Sequence, residues 1–369
     1  MPGYKAGGPI TSCWNLSNAL SEKTKVYVLT SDRDLNETHP YPGITRDQWV
    51  EIQKNLFVCY LSPTQQTYKG ICQQIKTVQA DVIYLNSLFS LTFTIYPIHL
   101  KWRRKLNSRI ILAPRGMLKA SALQFKSLKK RWFIRVLRWM RLAKWITFHA
   151  TDEEEVKDIK KHLGGNAQVF LIPNMPSLVT TYIPKEIGEV FHFLFVGRIH
   201  PIKGLLEALH YLKEVKHPLT FSIIGSNEVT SYWKECQILM DTLPDFIEVN
   251  YLGEVPPAQV KEIQKKQHFF LLPTQGENFG HAIFEALAMG LPVIISDQTP
   301  WKRLQELGIG WDLPLKSPSA FIDAITAAAT MPPEAYERMS KTAWQYAKDF
   351  IDNKHLTQHY LTMFGIKQD

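Results

Sequence analysis

Two short segments of this 369-residue chain hold the residue types needed to grip an anion and read hydroxyl groups. The first is Phe193-Leu-Phe-Val-Gly-Arg-Ile-His-Pro-Ile-Lys-Gly. Its apolar run predicts a buried strand ending at Gly197, then a turn that presents Arg198 and Lys203 ahead of a helix. Two cations at the carboxyl end of a parallel strand suit a diphosphate, arginine as a planar fork of donors and lysine as a point charge. The second segment runs from Pro273 to Ile294 and follows the apolar strand His268–Leu272. Glu277 falls in its loop, Gly280 opens a helix whose first amides lack partners, and Glu285 lies within that helix. Free amides suit phosphate or sugar oxygens, and carboxylates suit vicinal hydroxyls. The plainer reading is a pair of surface cations, a capping carboxylate and a solvated glutamate. Against it stand Gly276 and Gly280, which allow close backbone approach.

The elements that must position these groups alternate between strand and helix. Strands are predicted at Lys25–Thr30, Leu56–Tyr60, Val82–Leu85, Arg109–Ala113, Trp145–His149 and Val169–Ile172. A second series follows at Phe191–Val196, Thr220–Ile224, Ile247–Tyr251, His268–Leu272 and Pro292–Ser296. Helices intervene, for example over Thr64–Gln79, Thr151–Leu163, Gly204–Val215, Gly280–Met289 and Ser317–Ala329. This is the pattern of parallel sheets covered on both faces. Proline and polar residues near 175–188 mark a linker. The expected division is an N-terminal Rossmann-like domain over 1–180, a second over 181–350, and a final helix over 351–369 crossing back to the first.

Gly7-Gly8-Pro9 leads into a helix over about Ile10 to Leu20, with no strand ahead of it. A doubly wound domain begins with a strand feeding such a glycine turn. The first strand is therefore expected to be missing and the native start to lie upstream.

Glu277 and Glu285, seven residues between them, enclose Asn278-Phe279-Gly280, with Ala-Met-Gly-Leu-Pro-Val behind. With Gly197-Arg198 and Lys203-Gly204 upstream, this resembles the signature of glycosyltransferase family 4, the retaining enzymes of GT-B fold. Gly7-Gly8-Pro9 resembles the N-terminal glycine loop of that family, and Ile172-Pro173-Asn174 the segment before its linker. The resemblance implies two doubly wound domains facing across a cleft. It implies that Arg198 and Lys203 hold the donor diphosphate and that Glu277 contacts the donor sugar. Glu285 would bind ribose hydroxyls, and the amides of Asn278, Phe279 and Gly280 would face sugar and diphosphate. Gly7 and Gly8 would close over the diphosphate, and Gly225 would lie near the base. Many relatives carry a histidine at the end of an N-domain strand. Here that strand ends in Asn86-Ser87, and asparagine cannot act as a base at neutral pH. Asn86 is kept, with Arg115 of Pro114-Arg115-Gly116, as an acceptor-side residue.

Fixed cations and amides stabilise a leaving diphosphate without a divalent metal. No cofactor is expected beyond the substrate, a UDP- or GDP-sugar. Asp32-Arg33-Asp34 resembles a metal-binding tripeptide, and Thr151-Asp-Glu-Glu a capping box with Thr151 at the cap. His149 is read as a strand terminus, and Gly164 as a helix end.

The formal charge is +9, and the excess is local. No acidic residue occurs between Asp81 and Asp152, while fifteen basic ones fall within Lys101 to Lys144. Over 118–145, Arg131, Arg135, Arg138 and Arg141 lie beside a stripe of Trp132, Val136, Trp139 and Leu142. This basic amphipathic helix fits peripheral contact with an anionic membrane, or equally a helix on the sheet with a solvated face. Nucleic acid is not expected as a partner, since no recognised module accompanies the charge. No apolar run approaches the roughly 18 residues of a membrane span. The four cysteines are scattered. The expected setting is the cytoplasm, with peripheral association at the inner membrane face.

The residues and the resemblance together point to transfer of a hexosyl group from a nucleoside-diphosphate sugar; that it proceeds with retention, to a saccharide or lipid-linked acceptor in surface-polysaccharide synthesis, is what the resemblance implies. Two rivals share these residues: a nucleotide-sugar epimerase of the same fold, and a catalytically idle binding or scaffold protein.

Overall fold

The computed structural model describes all residues except 1, 4, 6, 120–122, 124–126, 354 and 367–369. It divides into two compact units. Unit 1 comprises Met1–Met175 and His355–Asp369; unit 2 is Pro176–Lys354.

Unit 1 opens with α1 (Gly8–Ser21), whose N-cap Gly7 has a φ of 65°. Three strands follow: β1 (Val26–Ser31), β2 (Trp49–Gln53) and β3 (Leu56–Leu61). They form one sheet in the order β1-β3-β2, with β1 and β3 parallel and β2 antiparallel at the edge. After α2 (Tyr68–Val78) come β4 (Val82–Leu85), the π-helical turn Leu91–Ile95, α3 (Tyr96–Trp102) and β5 (Arg109–Leu112). Helix α4 (Ser127–Trp139), β6 (Thr147–Ala150), α5 (Glu153–Leu163) and β7 (Val169–Leu171) complete a second, fully parallel sheet in the order β4-β5-β6-β7. Among the described residues, β1 and β4 each pair on one side only. Their exposed ladder edges fit the half-buried state of Val28, Leu29, Val82 and Ile83, where covered parallel strands would be fully buried.

Unit 2 holds one six-stranded parallel sheet. Its strands are β8 (Phe191–Val196), β9 (Leu219–Ile224), β10 (Ile247–Gly253), β11 (Phe269–Leu272), β12 (Val293–Ser296) and β13 (Gly310–Leu313). Helices α6 (Leu205–Glu214), α7 (Thr230–Met240), α8 (Pro257–Gln264) and α9 (His281–Ala288) connect successive strands from β8 to β12, and α10 (Pro318–Ala329) follows β13. The strand order is β10-β9-β8-β11-β12-β13. The chain winds one way from β8 and then restarts at β11 and winds the other way. The switch point therefore lies between β8 and β11, the crevice where open α/β sheets take ligands. All side chains of β11 and β12 are buried, as covering by helices on both faces requires. Helix α11 (Pro333–Asn353) closes this unit, and α12 (Leu356–Phe364) belongs to unit 1.

Elements outside the sequence expectation include β2, the π-helical turn Leu91–Ile95, α3, α7 and β13. Each is short or carries mixed polarity, so periodicity marks it weakly. Two local expectations need correction. Helix α5 is capped by Asp152, whose side chain accepts from Glu155 N at 2.7 Å, not by Thr151. Thr151 instead donates its backbone N–H (2.8 Å) and hydroxyl (2.9 Å) to the Glu155 carboxylate. The basic segment is not one helix over 118–145. Residues 120–122 and 124–126 lie outside the described residues, α4 ends at Trp139, and Arg141 (φ 52°) turns the chain into a separate helical turn, Leu142–Lys144.

Candidate functional site

The carboxyl ends of β8 and β11 adjoin at the switch point, and each carries one of the two segments. After β8, the turn Pro201–Lys203 is capped by the His200 side chain and ends at Gly204, with a φ of 74°. A Cβ on Gly204 would sit 2.1 Å from the carbonyl oxygen of Pro273, so this turn and the loop after β11 touch backbone to backbone. The contact is reinforced by Thr274, fully buried, whose hydroxyl donates to Ile202 O at 2.9 Å. The same carbonyl accepts Gln275 N at 2.7 Å. The Ser296 hydroxyl donates to Thr274 O, and Glu277 N donates to Gln298 O at 3.2 Å, so β12 holds the loop from its other side.

In that frame Lys203 and Glu277 form an ion pair, their side chains 17% and 14% exposed. The amides of Asn278, Phe279 and Gly280 make no hydrogen bond among the described residues. They precede α9 at its positive end. The Phe279 carbonyl is anchored by the Trp301 indole N–H at 2.5 Å, which fixes the direction of the Gly280 amide in the same peptide plane. One ammonium, one carboxylate and three unclaimed donors are thus gathered at the switch point.

Glu285 points back from α9 and accepts the Ser177 hydroxyl at 3.3 Å. Burial pushes its carboxyl up to about 7, with the Ser177 hydrogen bond and the Lys261 charge pulling the other way. Arg198 is not drawn to this cluster. Its side chain, 47% exposed, pairs with Glu228 at 2.8 Å, in the loop after β9. Sequence reasoning did not find Glu228, because a lone glutamate in a polar loop carries no spacing signal. Gly225 sits beside the same turn. A Cβ there would fall 1.8 Å from Gly197 O, so the β8 and β9 ends are in backbone contact.

In unit 1, the Arg115 guanidinium donates to Asn86 Oδ1 (2.6 Å), to the Tyr84 hydroxyl (2.9 Å) and to Asn174 Oδ1. The two acceptor-side candidates are therefore direct partners. Tyr84 in turn lies 2.7 Å from His149 Nδ1, while His149 Nε2 lies 2.8 Å from Ile172 O. The carbonyl requires the proton on Nε2, so Nδ1 accepts from Tyr84. Burial drives the His149 pKa down to about 3, which keeps the ring neutral. His149 is thus a buried structural residue of β6. Gly7 and Gly8 form the start of α1, Gly7 O accepting Ile10 N at 2.9 Å. The Asp32-Arg33-Asp34 tripeptide is occupied internally. Asp32 is held by Arg33 at 2.8 Å, and Asp34 accepts the Leu35 and Lys5 amides.

The fold is GT-B, the architecture of solved structures that match nearly the whole chain. Sucrose-phosphate synthase from Thermosynechococcus elongatus superposes with a TM-score of 0.72 at 16% identity, over 100% of this chain and 96% of that one. The Anabaena protein HepE, in complex with UDP and glucose, gives 0.70 at 14% identity over 98% of each chain. Residues 183–346, the bulk of unit 2, match the family model described as glycosyl transferases group 1. Among curated proteins, phosphatidyl-myo-inositol mannosyltransferase of Mycobacterium leprae is 29% identical over 140 residues, 36% of this chain and 36% of that protein. O-antigen chain mannosyltransferase B of Escherichia coli is 27% identical over 135 residues, 35% and 34% of the two chains. The alignments thus span about a third of these relatives' own lengths.

Proposed function

We propose that this protein is a glycosyltransferase. It would move a hexosyl group from a UDP- or GDP-sugar to a saccharide or lipid-linked acceptor, with retention, in cell-surface polysaccharide synthesis. The observation that carries the reading is the Lys203–Glu277 pair beside the unclaimed amides of Asn278, Phe279 and Gly280. Breaking the bond between the anomeric carbon and the donor oxygen leaves negative charge on the diphosphate. An ammonium and helix-end amides already fixed in place stabilise that charge without reorganising. Glu277, released from Lys203 as the diphosphate takes over the cation, is then free to accept from sugar hydroxyls. Glu285 serves the ribose hydroxyls, and Gly225 borders the base. Arg198 joins the diphosphate by exchanging its exposed glutamate partner for phosphoryl oxygens. Asn86 and Arg115 serve the acceptor. The group 1 match over 183–346 supports the donor half of this reading. The likeness to the two mannosyltransferases supports a hexosyl donor and a surface-glycan acceptor.

No divalent metal has a part in this chemistry. The test is a thermal-shift screen with nucleoside diphosphates and their sugars, followed by turnover with and without a chelator. A ligand at a hundredfold excess over its Kd should add about 2.7 kcal/mol to apparent stability. Stabilisation by one nucleoside diphosphate, with transfer indifferent to chelation, is expected. A protein that ignores every nucleotide would defeat the reading, and one that epimerises donor without acceptor would replace it.

A further inference from the structure

Helix α4 divides into an inner and an outer face. Ile134 and Leu137 are buried in the unit 1 core, in one cluster with Leu118, Leu142 and Phe148 among others. The outer face is not merely charged. Trp132 is 67% exposed and Trp139 78%, so two indoles stand largely in solvent. At 3.6 residues per turn, positions seven apart lie about 20° from each other around the axis, so the two rings share one line. Arg131, Arg135 and Arg138 are exposed on one flank of that line and Lys129 on the other. Arg141 and Lys144 extend the cationic margin beyond the helix end, both exposed. None of these six cations makes an ion pair among the described residues.

This corrects the sequence expectation of a continuous apolar stripe. Leu142 turns inward and is fully buried, whereas the tryptophans turn outward. An exposed indole pair contributes little to the area term that drives folding, and two such rings aligned on one cation-flanked face mark an interaction surface. Tryptophan with its ring body apolar and its N–H polar is suited to the headgroup level of a bilayer, and flanking arginines to anionic lipid phosphates. A solvated basic face needs the arginines alone and does not account for the rings.

We infer that the outer face of α4 docks on an anionic lipid bilayer, with Trp132 and Trp139 entering the headgroup layer and the flanking arginines on lipid phosphates. The helix lies in the membrane plane and does not cross it. No helix among the described residues is long and apolar enough to span a bilayer. The site is separate from the donor residues of unit 2, so its failure would leave the transferase reading intact.

Flotation with phosphatidylcholine vesicles, alone or mixed with phosphatidylglycerol, tests this on the full chain. The wild type should float with the mixed vesicles only, and raised salt should release it. Trp132→Ser with Trp139→Ser should lose about tenfold in binding, as should Arg131→Gln with Arg135→Gln and Arg138→Gln, because interfacial rings and surface charges each contribute. Near-UV circular dichroism and nucleotide-induced thermal shifts check that both variants keep their fold. Absence of flotation, or flotation unchanged by the double tryptophan variant, overturns the proposal. So does tighter binding of a single-stranded oligonucleotide that depends on the arginines and ignores the tryptophans.

Discussion

Lys203, closing the turn after β8, and Glu277, in the loop after β11, form an ion pair across the switch point of the unit 2 sheet. The pair is mostly shielded from water, and each partner holds the other in place.

Glu277→Gln should lower transfer by about 100-fold or more, the scale seen when a single electrostatic contact to a reacting centre is lost. The fold should suffer by about 1–2 kcal/mol, between the values for exposed and fully buried pairs. Nucleoside diphosphate binding should persist in this variant and fall in Lys203→Ala. Initial rates, denaturant melts and calorimetric titrations separate the three effects. Ordinary turnover by Glu277→Gln would end its assignment to the sugar.

Arg198 is held away from the cluster by Glu228 at 2.8 Å. An exposed pair of this kind is worth about 0–1 kcal/mol, so a diphosphate can displace it. Glu228→Gln should therefore tighten nucleoside diphosphate binding by about threefold, removing a competitor worth a fraction of a kcal/mol. Arg198→Gln should weaken it by about tenfold. If Glu228→Gln left the Kd unchanged, Arg198 would have no part in the site.

Burial holds the Glu285 carboxyl at about 7 instead of 4.5. The folded chain then binds this proton more tightly than the unfolded one. Stability contributed at this position is greatest below the unfolded value, declines between 4.5 and about 7, and is lost above that range. The shift corresponds to about 3 kcal/mol. Glu285→Gln should abolish this slope and melt later than the wild type in mild alkali. Urea midpoints at several pH values measure it, and parallel slopes in the two proteins would contradict the assignment.

Gly225→Ala should destabilise unit 2 by about 3 kcal/mol, at the upper end of overpacking costs. Its methyl group would meet the Gly197 carbonyl, a main-chain atom that cannot swing aside. Chemical denaturation reads the loss. A variant as stable as the wild type would mean that β8 and β9 do not approach as closely as described.

Much of this was readable in the residues. Strands such as Phe191–Val196 and Val82–Leu85 are continuous apolar runs between turn signals, and they formed with the expected bounds. Glu277 and Lys203 came together because strand order, not sequence distance, sets which loops adjoin. The partner of Arg198 was hidden for the same reason: Glu228 follows β9, and only the β8–β9 pairing brings it near. The cap of α5 was missed by one residue, since Thr151 and Asp152 both satisfy the local pattern and a tertiary bond from Gly116 to Glu155 selects between them. The outward turn of Trp132 and Trp139 also lay beyond periodicity, which marks a face but not whether protein covers it.

The loop after β11 is pinned by its backbone and by Thr274, and no side chain at Gly276 takes part. A Cβ at Gly276 would meet nothing within 4 Å. Neighbouring Glu277 is thus flanked by vacant room at a position whose replacement disturbs no anchor. Randomising that codon offers a way to retune which sugar is accepted while the scaffold stays intact, and the same latitude would let descendants of one ancestral gene diverge in preference by single steps.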